Sequence, residues 1–151
     1  MGTKYKGSKK EINVLNSFIK LTRAADSVRS RISSVINTSE ITESQFYVLD
    51  SLYHSGPLTQ KDIGEKVFRS GGNITLVIDN LEKQGYVKRV RGKEDRRYFT
   101  IHLTKAGKNL MDRIFPQFVN AVKEELNVLA DSEHKQLQEL CKKVGLKNSR
   151  K

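Results

Sequence analysis

The stretch from Ser70 to Thr104 constrains the fold most, because the spacing of its apolar residues changes abruptly within it. In the first half, apolar residues recur at intervals of three and four: Ile74, Val77, Ile78 and Leu81. That period predicts a helix with one buried face. In the second half, the apolar residues alternate with polar ones: Phe99, Ile101 and Leu103. That period predicts a half-buried strand. A helix followed closely by a hairpin is therefore the central expectation.

The flanking residues give this helix and hairpin their limits. Ser70 is a candidate N-cap, and Gly85 suits the left-handed residue that ends a helix. We expect one strand over Tyr86 to Arg91 and its partner over Arg97 to Leu103. The five charged or flexible residues between them, 92–96, predict an exposed turn. A helix with one polar face beside such a hairpin is typical of a winged helix-turn-helix, with the helix in a major groove.

Positive charge is concentrated on the same segment. Residues 83–108 hold nine lysines or arginines against two acids, in a chain whose net charge is +11. Clustered cations on a hairpin suit the phosphate backbone of a nucleic acid. An ordinary solvated surface is the alternative. The sequence pI near 9.8 also favours an anionic partner, and double-stranded DNA fits better than a membrane surface.

The remaining sequence predicts further helices around this lobe. The chain length of 151 residues suits a single domain, 1–151, with no membrane-spanning run and no signal peptide. Apolar stripes at helical spacing predict a long helix over 9–37 and two helices over 104–145. The helix-turn-helix lobe then covers 42–103. The outer helices carry more apolar surface than one lobe needs, which predicts a homodimer joined through them. The fold class is mainly α with a small β-wing.

Several short motifs follow one another along the chain: Gln45-Phe-x-Val48-Leu49, Gly56-Pro-Leu-Thr59, Asp79-x-Leu81-Glu-Lys83-x-Gly85, Asp95-x-Arg97 and Leu103-Thr104-x-x-Gly107. Taken together, they resemble the MarR family of bacterial transcriptional regulators over almost the whole chain. The resemblance implies a homodimeric repressor on a pseudo-palindromic operator, released by a small, often phenolic, ligand or by an oxidant. No cofactor is implied. The single cysteine, Cys141, fits a reducing cytoplasm.

The resemblance and the residue chemistry together give a set of expected DNA contacts. In the family, the Asp95 and Arg97 positions shape the wing and bring an arginine near the minor groove. The outward face of the helix and the hairpin supply the others: Ser70, Asn73, Thr75, Leu76, Lys83, Arg91, Lys93 and Arg96. Many relatives carry arginine where this chain has Leu76, so direct reading of guanine is not expected there. Leu76 suits either a thymine methyl group or simple exposure.

Aromatic residues are the main indication of an effector site, because the cysteine and histidine residues do not indicate a redox or metal site. The resemblance places a ligand cleft between the DNA-binding lobe and the dimer helices, where four aromatic side chains are candidates: Phe18, Phe46, Tyr47 and Tyr53. A phenol or quinone is the expected ligand class, and core packing is the alternative role for these rings. Cys141 is expected to be a buried structural thiol. The three histidines, His54, His102 and His134, are widely spaced, so no metal site is predicted.

Three other function classes compete with a sequence-specific regulator. A non-specific architectural DNA-binding protein would share the basic hairpin, and so would a winged-helix module that binds an acidic protein. An enzyme is not expected. The sequence has no evident pair of catalytic carboxylates, no nucleophile with its base, and no phosphate-binding glycine loop.

Overall fold

The computed structural model describes residues 2–37, 40–67 and 73–146. Along the chain, the elements are α1 (Lys9–Ile36), α2 (Glu43–Ser55), β1 (Leu58–Thr59), α3 (Gln60–Val67), α4 (Ile74–Lys83), β2 (Val87–Arg91), β3 (Phe99–Leu103), α5 (Lys105–Leu126) and α6 (Asp131–Gly145). The expected mainly α architecture with a small β-wing is confirmed. None of the helices in these ranges combines the length and hydropathy needed to span a bilayer.

Local capping fixes the ends of α1 and α2. Ser8 and Thr42 each accept a hydrogen bond from the backbone N–H three residues on. Each also donates a reciprocal bond from its own backbone N–H, to the side chain of Glu11 or Gln45 respectively. Such a capping box satisfies two donors that the first turn of a helix otherwise leaves unpaired. Residues 2–8 contact α1 through a hydrogen bond from the Thr3 N–H to the Asn16 side chain.

The helix that carries the candidate recognition face begins later than the sequence suggested. Asn73, and not Ser70, caps α4: its side-chain oxygen accepts from the N–H of Leu76 at 3.0 Å. Ser70 lies outside the described residues. At the other end, Gly85 adopts a φ of +81°, a conformation that other residues rarely adopt. The chain therefore turns from α4 directly into β2.

The sheet has three strands, one more than expected. Its order is β1-β3-β2, and both pairings are antiparallel, with Leu58 opposite Ile101 and Val87 opposite Leu103. The first hairpin strand begins at Val87, one residue later than predicted, and the second begins at Phe99, two residues later, because Arg97 and Tyr98 belong to the turn. The N–H groups of Arg97 and Tyr98 both donate to Asp95, to its carboxylate and its carbonyl respectively.

One apolar core joins the central elements. Its fully buried members come from four helices and two strands: Phe46, Val48, Leu49, Ile63, Ile78, Leu81, Val87, Ile101, Leu110 and Met111. α1 and α6 take little part in it. Only the C-terminal end of α1 is buried, through Ile32 and Ile36, and α6 has no buried residue. Cys141 is therefore exposed in the single chain, contrary to the expectation of a buried thiol.

Candidate nucleic-acid interface

Helical spacing divides α4 into an inward and an outward face. Ile78 and Leu81 are completely buried, whereas Leu76 is 54% exposed. Because successive residues turn by about 100° around the axis, Leu76, Asn80 and Lys83 lie within one narrow sector opposite Ile78. Asn80 and Lys83 are exposed as well. The sequence analysis missed Asn80, although its position four residues after Leu76 was the available signal.

Two expected contact residues at the start of α4 already have partners within the protein. The Asn73 side-chain oxygen holds the helix cap. The Thr75 hydroxyl accepts a 2.7 Å hydrogen bond from the Gln60 side-chain amide. Gln60 is the first residue of α3, so this bond links the two helices of the helix-turn-helix. Both residues therefore shape the surface, in addition to any contact with a ligand.

Arg89 on β2 ties the wing to α4. Its guanidinium donates to Asp79 at 2.5 Å and to Glu82 at 3.0 Å. Its backbone N–H also donates to the Glu82 carboxylate at 3.0 Å. The Arg89 side chain is only 22% exposed, so these charge-assisted bonds are partly shielded from water. The sequence analysis counted Arg89 as part of the basic surface and did not identify this connection.

The turn of the hairpin is organised by Asp95. Its carboxylate accepts two hydrogen bonds from the Arg97 guanidinium, at 3.0 and 3.1 Å, and one from the Arg97 N–H. These bonds lower the pKa of Asp95 below its ordinary value. The same pairing raises the pKa of Arg97. The two residues of the predicted wing motif thus lie together as an ion pair.

Ion pairs within the protein neutralise part of the positive charge of residues 83–108. Arg89, Arg97 and Lys108 are each bound to acidic side chains. Of the basic residues in 83–108, six form no ion pair with a described residue: Lys83, Lys88, Arg91, Lys93, Arg96 and Lys105. The Arg91 guanidinium stacks over the Phe99 ring, 5.1 Å from its centroid. Lys93 and Arg96 are exposed at the turn, where a phosphate backbone can approach them.

A groove of about 370 Å³ separates the wing from the start of α3. Its walls include Gln60 and Lys61 on one side and Arg97, Tyr98 and Phe99 on the other. Lys61 and Tyr98 are exposed, and neither was among the expected contact residues. Lys61 lies near Tyr98 because β1 pairs with β3 and brings the start of α3 beside the wing. The sequence carries no local signal for that pairing.

Three of the four candidate effector residues belong to one aromatic cluster. Phe46 contacts Tyr47 and Phe118, with ring centroids 5.5 and 4.8 Å apart. Phe115 continues the cluster, because its ring lies 5.9 Å from both Phe118 and Tyr53. Phe46 is buried and packs as a core residue, whereas Tyr47 and Tyr53 are half-buried.

Phe18 lies apart from that cluster. It is 63% exposed on the N-terminal half of α1, and its ring contacts no other aromatic ring in the described chain.

The Tyr53 hydroxyl gives the aromatic cluster a polar contact. It donates to Asp112 at 2.6 Å, and this bond raises the pKa of Tyr53. Within residues 2–37, 40–67 and 73–146, no three histidine, cysteine or acidic side chains are grouped as a metal site would require.

Comparison with known proteins places this geometry in context. The MarR family model matches residues 41–99. The HTH-type transcriptional regulator MhqR of Bacillus subtilis is 33% identical over 132 residues, which make up 87% of this chain and 91% of that protein.

Two solved structures share the fold. Sco3205, a MarR family transcriptional regulator from Streptomyces coelicolor in complex with DNA, superposes with a TM-score of 0.81 and 19% identity. The match covers 95% of this chain and 91% of that one. BpsR of Bordetella bronchiseptica, studied for the regulation of its DNA binding by 6-hydroxynicotinic acid, has a TM-score of 0.78 and 21% identity. The match covers 95% of this chain and 98% of the BpsR chain.

Proposed function

Since the chain belongs to the MarR family of DNA-binding transcriptional regulators, we propose that it acts as a homodimeric repressor released by a small aromatic effector. One observation carries the proposal: Arg89 holds the outward face of α4 and the basic hairpin on a single surface. A helix and a wing fixed in this way can contact a major groove and the adjoining backbone together.

In the proposed complex, α4 enters the major groove and the hairpin follows the phosphate backbone towards the minor groove. Lys83, Arg91, Lys93 and Arg96 supply positive charge along that path. Arg97 remains positively charged but is held by Asp95, so it presents a fixed guanidinium to the DNA. Contacts of this kind give affinity that falls steeply with salt, because each neutralised phosphate releases counterions.

Dimer formation is proposed through α1 and α6. These helices border an apolar groove of about 500 Å³ lined by Leu21, Leu137, Leu140, Cys141 and Val144. Apolar side chains exposed along a groove of this kind favour burial against a second copy. Two copies related by a two-fold axis would present two α4 helices to one duplex, about 34–36 Å apart. The operator is therefore proposed to be a pseudo-palindrome.

For the effector, we propose the aromatic cluster between α2 and α5. Tyr47 and Tyr53 are half-buried there, and Phe115 and Phe118 lie between them. Flat rings and a hydroxyl group suit a small phenol, quinone or aromatic acid. The 6-hydroxynicotinic acid that regulates the DNA binding of BpsR is likewise a small hydroxylated aromatic acid. A ligand between these helices would bias the angle between the lobe and the dimer helices.

The test is binding of the purified protein to the DNA that flanks its own gene. Fluorescence anisotropy is recorded at two salt concentrations, with and without excess unrelated DNA. We expect binding that resists the competitor and weakens strongly at the higher salt. Phenols, quinones and 6-hydroxynicotinic acid are then added to the preformed complex, and a true effector lowers the anisotropy.

Other results would favour the competing functions. Binding that the competitor abolishes, for this DNA and for sequences selected from a random library, would indicate a non-specific architectural protein. Absence of binding at low salt would indicate a protein-interaction module. A complex that persists with every compound would refute the proposed effector class while leaving DNA binding intact.

A further inference from the structure

Two exposed side chains at the centre of the outward face of α4 have chemistry suited to A·T base pairs. Leu76 and Asn80 are four residues apart, so they are neighbours on the helix surface. Both point away from the core, since Ile78 between them in sequence is completely buried on the opposite side. They lie within the first two turns of α4, the part of a recognition helix that contacts base edges.

Three polar side chains beside this pair already have partners within the protein. Asn73 caps the helix, Thr75 accepts from Gln60, and Asp79 binds Arg89. By contrast, the Asn80 side chain forms no hydrogen bond with another described residue. Its amide is therefore available as both donor and acceptor. Leu76 supplies the largest exposed apolar group on the helix.

We propose that Leu76 and Asn80 select A·T pairs in the major groove of each operator half-site. The inference rests on the proposed function, in which α4 lies in that groove. Thymine alone carries a C5-methyl group, which an apolar side chain can contact. Adenine presents an N7 acceptor beside an N6 donor, and the asparagine amide matches both.

The same side chains disfavour a G·C pair. Guanine presents two acceptors in the major groove, which suit arginine or lysine. The only basic residue of α4 is Lys83, at the C-terminal end of the helix. An apolar Leu76 against the polar edge of a G·C pair would leave those polar groups without partners, which is unfavourable. The preference for A·T therefore has two sources: matched chemistry at the A·T edge and unpaired polar groups at the G·C edge.

The experiment begins with selection of duplexes from a random-sequence library by the full-length protein. In the selected operator, each thymine is replaced singly by deoxyuridine, which removes only the methyl group. Each adenine is replaced by 7-deazaadenine, which removes only the N7 acceptor. We expect one deoxyuridine position per half-site to weaken binding about fourfold, as for one buried methyl group. A nearby 7-deazaadenine should weaken it about fivefold.

Variants assign each effect to its residue. In Leu76→Ala, the deoxyuridine penalty should disappear while the 7-deazaadenine penalty remains, and Asn80→Ala should give the reverse. Val128→Ala, which shortens an exposed aliphatic side chain far from α4 in sequence, should retain both penalties. Leu76→Arg should shift the selected base at that position towards guanine.

The outcomes separate this inference from the function on which it rests. If the library yields no preferred sequence, sequence-specific regulation fails and base selection fails with it. If a sequence is selected but every analogue is tolerated, or the penalties persist in both variants, DNA recognition stands and the role of Leu76 and Asn80 is refuted.

Discussion

At the scale of single residues, the contacts of Thr104 and Gly107 show why the motif Leu103-Thr104-x-x-Gly107 follows the wing. The Thr104 hydroxyl donates to the Gly85 carbonyl at 2.6 Å and accepts from the Gly107 N–H at 3.1 Å. A Cβ atom on Gly107 would lie 2.2 Å from the carbonyl oxygen of Tyr86. Glycine is needed here because the first turn of α5 packs directly against the backbone that leaves α4.

Replacing this glycine should therefore destabilise the protein. We expect Gly107→Ala to lower the free energy of unfolding by about 1–3 kcal/mol, because the added methyl group meets backbone that cannot easily move. Gly64→Ala is the matched control, since a Cβ there meets nothing within 4 Å and the residue lies inside α3. The control should be neutral or slightly stabilising. Urea denaturation followed by circular dichroism measures both, and equal stabilities would refute the packing argument.

The ion pair at the wing turn leads to a prediction about pH. Because Arg97 lowers the pKa of Asp95, any stabilisation by the pair is fully present above the ordinary carboxyl value of 3.8. It is lost only as the pH falls through the lowered pKa. Carboxyl NMR should find the Asp95 midpoint below 3.8, and Arg97→Ala should return it towards that value. A midpoint unaffected by this substitution would mean that the pair does not form in solution.

At the scale of secondary-structure elements, the connection between α4 and β2 depends on Arg89. Arg89→Ala should loosen the hairpin from the helix and lower the melting temperature by about 2–4 °C. It should also weaken operator binding more than Lys88→Ala does, although both variants lose one positive charge. Lys88 is exposed on the same strand and forms no ion pair with a described residue. Hydrogen exchange should show faster exchange in β2 for Arg89→Ala alone. Equal effects of the two variants on melting temperature and operator binding would mean that Arg89 acts only as a surface charge.

The sequence predicted those elements whose signal is local. The apolar period of α4 and the alternation along β3 are set by burial of neighbouring side chains, so both could be identified from the chain itself. β1 was missed because two residues carry no period, and they form a strand only by pairing with Ile101 and Thr100. The partners of Arg89 were missed for a related reason. These partners depend on the angle at which β2 leaves Gly85, and no local pattern in the sequence reveals that angle.

At the scale of the whole molecule, the distribution of apolar residues differs between the two ends of the fold. The central lobe encloses an apolar core within one chain, whereas no residue of α6 or of the first half of α1 is fully buried. Leu140 and Val144 are each 62% exposed. The expectation for Cys141 was wrong for this reason: the stripe that contains it is apolar, but no part of the single described chain covers it. In the proposed dimer, a second molecule covers that stripe.

A charge placed in the α1–α6 groove should therefore separate the dimer without unfolding the lobe. We expect Leu140→Glu to sediment near the 17.2 kDa of one chain, where the wild type should show twice that mass. An ionised carboxylate buried at the interface would be unpaired, which strongly opposes association. Val128→Glu adds the same charge at an exposed residue outside the groove walls, and it should remain dimeric. The monomer should keep its helical circular dichroism but lose most operator affinity, because it contacts one half-site instead of two. A Leu140→Glu protein that remains dimeric would place the interface elsewhere.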